Sequence, residues 1–262
     1  MVAFSGLNRM YNISNLPLVF WAGLVLSWLF VIFVDMMNVG GLGDYLIEIA
    51  ARDGSAFVML FGEARPVEWM QWACLAGASM MAAQIGVVCS IYGNKKKKKF
   101  AYVMAIFFAI LLMEDAGNLR HNISNTIVSA GIPQPFFPNF YRMVIYALYA
   151  ALPIYAVVRY GSSVVRLNKM SAVFWGAFVV YALASVMSVF APVNDFYEVI
   201  GEGMNDLLFS GRVIYDGVRF ESGYWIMDLL VEESLELIGA IMFLTAFIGL
   251  RSEVLSNSPF DT

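Results

Sequence analysis

The sequence predicts an all-α fold, a polytopic membrane bundle of six transmembrane helices with both termini cytoplasmic, forming a single transmembrane domain over residues 1–262. Three observations predict it. Hydrophobic residues make up 60% of the 262 and charged residues only 14%, with a mean hydropathy of +0.71, whereas a soluble domain carries roughly a quarter charged residues. Six apolar windows each reach the ~20 residues that a helix needs to cross a bilayer. The basic residues are distributed among the connecting segments in a way that fixes an orientation.

The windows lie at about 17–36, 67–92, 99–118, 140–159, 171–191 and 225–250. Each is too long for a strand, and backbone groups in lipid must be satisfied within their own segment, so each reads as a helix. The opening MVAFSGLNRMYNISN lacks the basic start, short apolar run and cleavage site of a signal peptide, so the first window reads as a retained span. Cys74 and Cys89 fall in one window, about 22 Å apart along a helix, too far to pair with each other.

With the N-terminus inside, Arg9, Lys95 to Lys99, Arg159, Arg166, Lys169 and Arg251 are cytoplasmic. Arg52, Arg65, Arg120, Arg142, Arg212 and Arg219 are then spread over longer outer loops. The run NKKKKKF between windows two and three is the strongest marker. It reads as a topology anchor beside anionic lipid, with no nucleic-acid partner implied. Of the 20 acids, only Glu253 and Asp261 fall inside. Acids contribute little to topology, so this polarity belongs to the outer face itself.

Three outer loops are substantial. Residues 37–66 contain Leu42, Tyr45, Leu46 and Ile49 at a spacing that suits a short interfacial helix. Residues 119–139 include GIPQPFFPNF, whose prolines and aromatics predict an extended segment along the interface. Residues 192–224 predict a partly helical cap closed by a glycine-punctuated turn or hairpin. No internal repeat marks an inverted-repeat transporter.

The acids enter the windows at their outer ends. In the sixth, Asp228, Glu232 and Glu236 are spaced i, i+4, i+8, which places them on one helical stripe with Glu233 beside it and Gly239 below. From Trp225, Glu236 lies about 16 Å along the helix. Acids at such depth face a bundle interior or a wet cavity and mark ion or proton paths. Gly239 would let another helix approach closely. In the third window Glu114, Asn118 and His121 predict a shared helical face, with Asp115 alongside. Glu68 sits in the first turn after Pro66, and Asp35 and Asn38 end the first window.

Four readings of this cluster stay open. The acids pair with Arg65, Arg120, Arg142 or His121 and fix helix packing. They form a proton or cation path, or a substrate site with carboxylate ligands. They hold a metal through Glu114, Glu232 and Glu236. Or they are solvated helix ends. With a single histidine, the Glu-x-x-His pairs of di-metal bundles are missing, and an oxygen-only Ca²⁺ or Mg²⁺ site is the remaining metal expectation. A bis-histidine haem is excluded within the chain, and every lysine lies outside the windows, away from any retinal Schiff base. No Gly-x-Ser-x-Gly, His-Glu-x-x-His or phosphate-binding loop occurs, which argues against an enzyme.

The segments EARPVEWMQWACLAGA, LLMEDAGNLRH and VEESLELIGAIMFL together resemble a loose group of uncharacterised bacterial polytopic membrane proteins. The matching positions are Glu63, Pro66, Val67, Glu68 and Trp69, then Glu114 and Asp115, then Glu232, Glu233 and Glu236. The resemblance implies a multi-pass protein of a bacterial inner membrane and brings no activity with it. Two functions are expected from the residues. One is a cation- or proton-binding membrane protein, in the manner of a small transporter, working through Glu232, Glu236 and Glu114 with Asp228 and Glu68 at its mouth. The other is a non-catalytic or assembly subunit of a larger membrane complex. Its 21 Phe, 13 Tyr and 16 Met would suit surfaces facing lipid, other subunits or a second copy.

Overall fold

The computed structural model describes residues 13–50, 55–133, 140–161, 170–191, 195–211 and 222–256, and among these every regular element is helical. We number them α1 (Leu16–Met36), α2 (Leu42–Ala50), α3 (Ala56–Phe61), α4 (Pro66–Ile91), α5 (Lys95–Gly117), α6 (Leu119–Ser129), α7 (Phe140–Gly161), α8 (Ser171–Phe190), α9 (Phe196–Phe209) and α10 (Ser222–Ser256). Six segments are long and apolar enough to cross a membrane: α1, α3 with α4, α5, α7, α8 and α10. Each overlaps one of the six windows, but the second begins at Ala56 and takes in α3, which the sequence places in the outer loop 37–66.

Local chemistry sets the ends. Pro17 and Pro66 open α1 and α4, where a missing N–H costs no helical bond. Asn94 caps α5 by accepting from the Lys97 N–H at 3.1 Å. Pro153 lies inside α7, whose last turn, Val157–Gly161, widens to π-helical geometry. The same widening ends α1 at Ile32–Met36 and opens α10 at Ile226–Glu232.

Cross-helix contacts give the direction of every long helix: Gly23 meets Met70 and Asp35 meets Ala56, so α1 runs antiparallel to α3 with α4. Gln71 meets Glu236, Gly77 meets Leu244 and Gln84 meets Arg251, so α4 and α10 run parallel. Ser79 meets Ala105 and Gly86 meets Tyr102, which makes α5 antiparallel to α4. Tyr149 meets Glu114 and Gly161 meets Phe100, making α7 antiparallel to α5. Tyr181 meets Gly239 and Met170 meets Gly249, making α8 antiparallel to α10. The long helices therefore alternate up and down. Asp35, Glu68, Glu114 and Asp228, Glu232, Glu233 and Glu236 of α10 gather at one end, with the lysine run, Arg251 and Glu253 at the other.

Helix α10 is the centre of the bundle, in contact with α1, α4, α8 and α9. In a lipid-like solvent such contacts rest on close packing rather than on hydrophobic exclusion. A Cβ at Gly239 would lie 2.8 Å from a ring carbon of Tyr181, so its absence sets the α8–α10 distance, as the sequence predicts. Below it, Phe108 meets Phe243 and Phe247 edge-on at 5.0 and 5.1 Å, and Phe178 meets Phe243 at 5.2 Å.

The connections carry both agreement and correction. Helix α2 is the short helix expected from Leu42 to Ile49, with Leu42, Tyr45 and Ile49 exposed. Residues 119–129 of that loop form α6; residues 134–139, most of the proline-aromatic stretch expected to be extended, lie outside the described residues. Helix α9 supplies the helical part of the cap predicted over 192–224; residues 212–221, where its closing turn or hairpin would fall, lie outside the described residues. So do Arg9, Arg52, Arg166, Lys169, Arg212, Arg219 and Asp261. Cys74 and Cys89 are both buried free thiols.

Candidate functional site: a buried carboxylate cluster

Several acids of the acidic end have structural partners. Asp35 accepts from the N–H groups of Ala56 and Phe57, at 2.9 and 2.8 Å, and so caps α3 across the chain. Glu68 is buried and accepts from the N–H of Ala64, a residue in the left-handed region, which fixes the turn into α4. Asn118 has a φ of 48° and ends α5 by breaking it. The face predicted for Glu114, Asn118 and His121 is therefore not formed, because the helix stops at Gly117 and restarts at Leu119 in a new direction. The side chains of Arg120 and His121 lie outside the described residues. Arg65 is exposed at the N-cap of α4, and Arg142 is half-buried in the first turns of α7.

The stripe predicted on α10 is also redrawn. A π-helical turn closes i→i+5 bonds and takes more residues per revolution than an α-helix. That turn spans Ile226–Glu232, and at its end the stripe divides between Glu232 and Glu236. Asp228 and Glu232 turn toward α9, where the Tyr197 hydroxyl donates to Glu232 at 2.5 Å and Asp228 is an electrostatic neighbour. Burial, and then the adjacent Glu232 carboxylate, push the Tyr197 phenol above the usual tyrosine range. Glu236 turns toward α4 and accepts from Gln71 Nε2 at 2.8 Å. Glu114 accepts from the Tyr149 hydroxyl at 3.2 Å on α7. The three acids named for an oxygen-only metal site thus meet partners on three different helices. Among the described residues, no group of three or more His, Cys, Asp and Glu side chains is placed to hold a metal ion.

Glu233, which the predicted stripe leaves to one side, stands at the centre of the charge. Its electrostatic neighbours are Glu236, Asp115, Glu68 and Glu232, drawn from α10, α5 and α4. Its Oε2 is buried without a hydrogen-bond partner. Beside it Gln71, fully buried, donates from Nε2 to Glu236 and, at 3.4 Å, to the Tyr181 hydroxyl of α8, while its Oε1 has no partner. Tyr181 in turn feels the charges of Glu236, Asp115 and Glu233. Gln71, Tyr181, Tyr149 and Tyr197 are absent from the sequence-derived site. The one available signal was the three-residue step from Glu68 to Gln71, which puts both on one face of α4.

Among the described residues, the fold and this site define an all-helical arrangement with six segments long and apolar enough to cross a membrane and a carboxylate cluster packed among three of them at one end. No protein-family model matches the chain, and neither the curated proteins nor the solved structures contain a match.

Proposed function

We propose that the protein is a multi-pass protein of a bacterial inner membrane whose carboxylate cluster takes up a proton or a small cation from the outer side. The six apolar helices and the lysine run at the end away from the acids support the insertion and its orientation. The resemblance of the Pro-Val-Glu-Trp, paired-acid and Glu-Glu-x-x-Glu segments supports the location.

One observation carries the binding reading: Glu233 Oε2 is a buried acceptor with no donor, set among four further acids. A buried acceptor without a donor costs about 1–3 kcal/mol, and like charges in a low dielectric repel strongly. A proton or cation in the cluster relieves both. In proteoliposomes, wild-type protein should respond to an imposed proton or cation gradient, and Glu236→Gln and Glu233→Gln should abolish the response. Unchanged flux and unchanged pH dependence of the purified variants would overturn the reading.

The alternative, a non-catalytic subunit of a larger membrane complex, is favoured by α7, which buries only 17% of its apolar window and leaves Leu148, Ile154 and Val158 exposed. Native purification in mild detergent separates the two readings, since a subunit co-purifies with fixed partners and a self-sufficient ion binder runs alone.

A further inference from the structure

We infer that the ligand of the cluster is a dehydrated monovalent cation, held by Gln71 Oε1 and Glu233 Oε2 beside Glu236. This rests on the charge-binding reading above and narrows it to one chemical class. Two buried side-chain acceptors, one neutral and one acidic, lack donors, and both residues neighbour Glu236, Gln71 by its Nε2 hydrogen bond and Glu233 electrostatically. Gln71 is fully buried and its amide is anchored through Nε2 on Glu236 and Tyr181, which fixes the place of Oε1. An amide oxygen and a carboxylate oxygen with no donor between them form an oxygen pair suited to a hard cation.

The charge of the ion follows from the ligand set. Calcium takes about six to eight converging oxygens and magnesium a near-ideal octahedron of them. Here Glu114, Glu232 and Glu236 diverge toward Tyr149, Tyr197 and Gln71. A neutral carbonyl contributing to the site lowers its field strength and suits a singly charged ion. The remaining polar groups near the site are Glu68 from α4, Asp115 from α5 and Tyr181 from α8, with Glu232 of α10 an electrostatic neighbour that turns toward α9. They supply the negative potential that draws the ion in without completing a chelate.

The test is calorimetric titration of the full chain in nanodiscs with sodium, potassium, ammonium, calcium and magnesium chlorides, alongside a potentiometric acid titration. Wild type should bind at least one of the three monovalent ions saturably, and calcium and magnesium should compete weakly. Gln71→Met and Glu233→Gln should each weaken binding by about tenfold or more, equivalent to one or more factors of ten in Kd. Glu48→Gln, on exposed α2, should leave it unchanged. Binding that survives Gln71→Met intact, or a site that prefers calcium, overturns the inference. Where Gln71→Met fails to fold, the selectivity of wild type and the Glu233→Gln variant still decide. If no cation binds but protons are taken up in a Glu233-dependent way, this inference falls while the broader reading stands. If neither occurs, both fall.

Discussion

Tyr197 donates to Glu232 from a helix that lies over the opening turns of α10, and its phenol proton is held by burial and by that carboxylate. A raised phenol pKa means the folded state keeps a proton that an unfolded tyrosine releases above about pH 10. The contribution is fully present below about pH 10 and is lost as pH rises beyond it. Tyr197→Phe should therefore lower stability near neutral pH by about 1.5–3 kcal/mol, the range for a hydrogen bond to a charged group, and should flatten the alkaline decline. Thermal melts in detergent across pH check both. Asp35 is a second single-residue case. Asp35→Ala strands two buried N–H groups at about 1–3 kcal/mol each, and Asp35→Asn, which keeps one acceptor, should cost less. The acids themselves were legible in the sequence as unusual residues in apolar windows. Their partners were not. Gln71 and Tyr181 are neutral side chains in apolar runs, and nothing in their spacing shows that the fold brings both against Glu236.

Helices α9 and α10 meet at glycines. A Cβ at Gly201 would lie 1.8 Å from the Gly223 carbonyl oxygen, and the Gly223 N–H donates to Glu202 at 2.7 Å. The neighbour here is backbone and cannot swing aside. Gly201→Ala should thus push α9 off α10, at a cost of about 1–3 kcal/mol or more, and separate Tyr197 from Glu232. A melt of the variant and the loss of the alkaline behaviour described for Tyr197 would register it. Element boundaries were mostly readable, because twenty apolar residues in lipid have one economical conformation. Two features escaped for a physical reason. Asn118 adopts a left-handed φ that asparagine tolerates but does not require, so a continuous helix and a broken one look alike in sequence. The π-helical turn at Ile226–Glu232 carries no residue signature at all. Glu232, at its end, meets α9 and Glu236, past it, meets α4, a division that the i, i+4 spacing conceals.

Across the whole molecule, alternation of six long helices gathers the acids at one end and leaves Lys95 to Lys99 at the other. In the proposed orientation an impermeant maleimide applied to intact cells should label Glu63→Cys and leave Asn94→Cys unlabelled, with the buried Cys74 and Cys89 silent. The reverse pattern would invert the protein. The central claim is that the cluster around Glu233 binds positive charge. The most direct measurement is a difference titration of wild type and Glu233→Gln in nanodiscs, with and without added monovalent salt. The account predicts curves that differ by about one charge equivalent and a wild-type curve that shifts with the salt. Superimposable curves, insensitive to the cation, would contradict it.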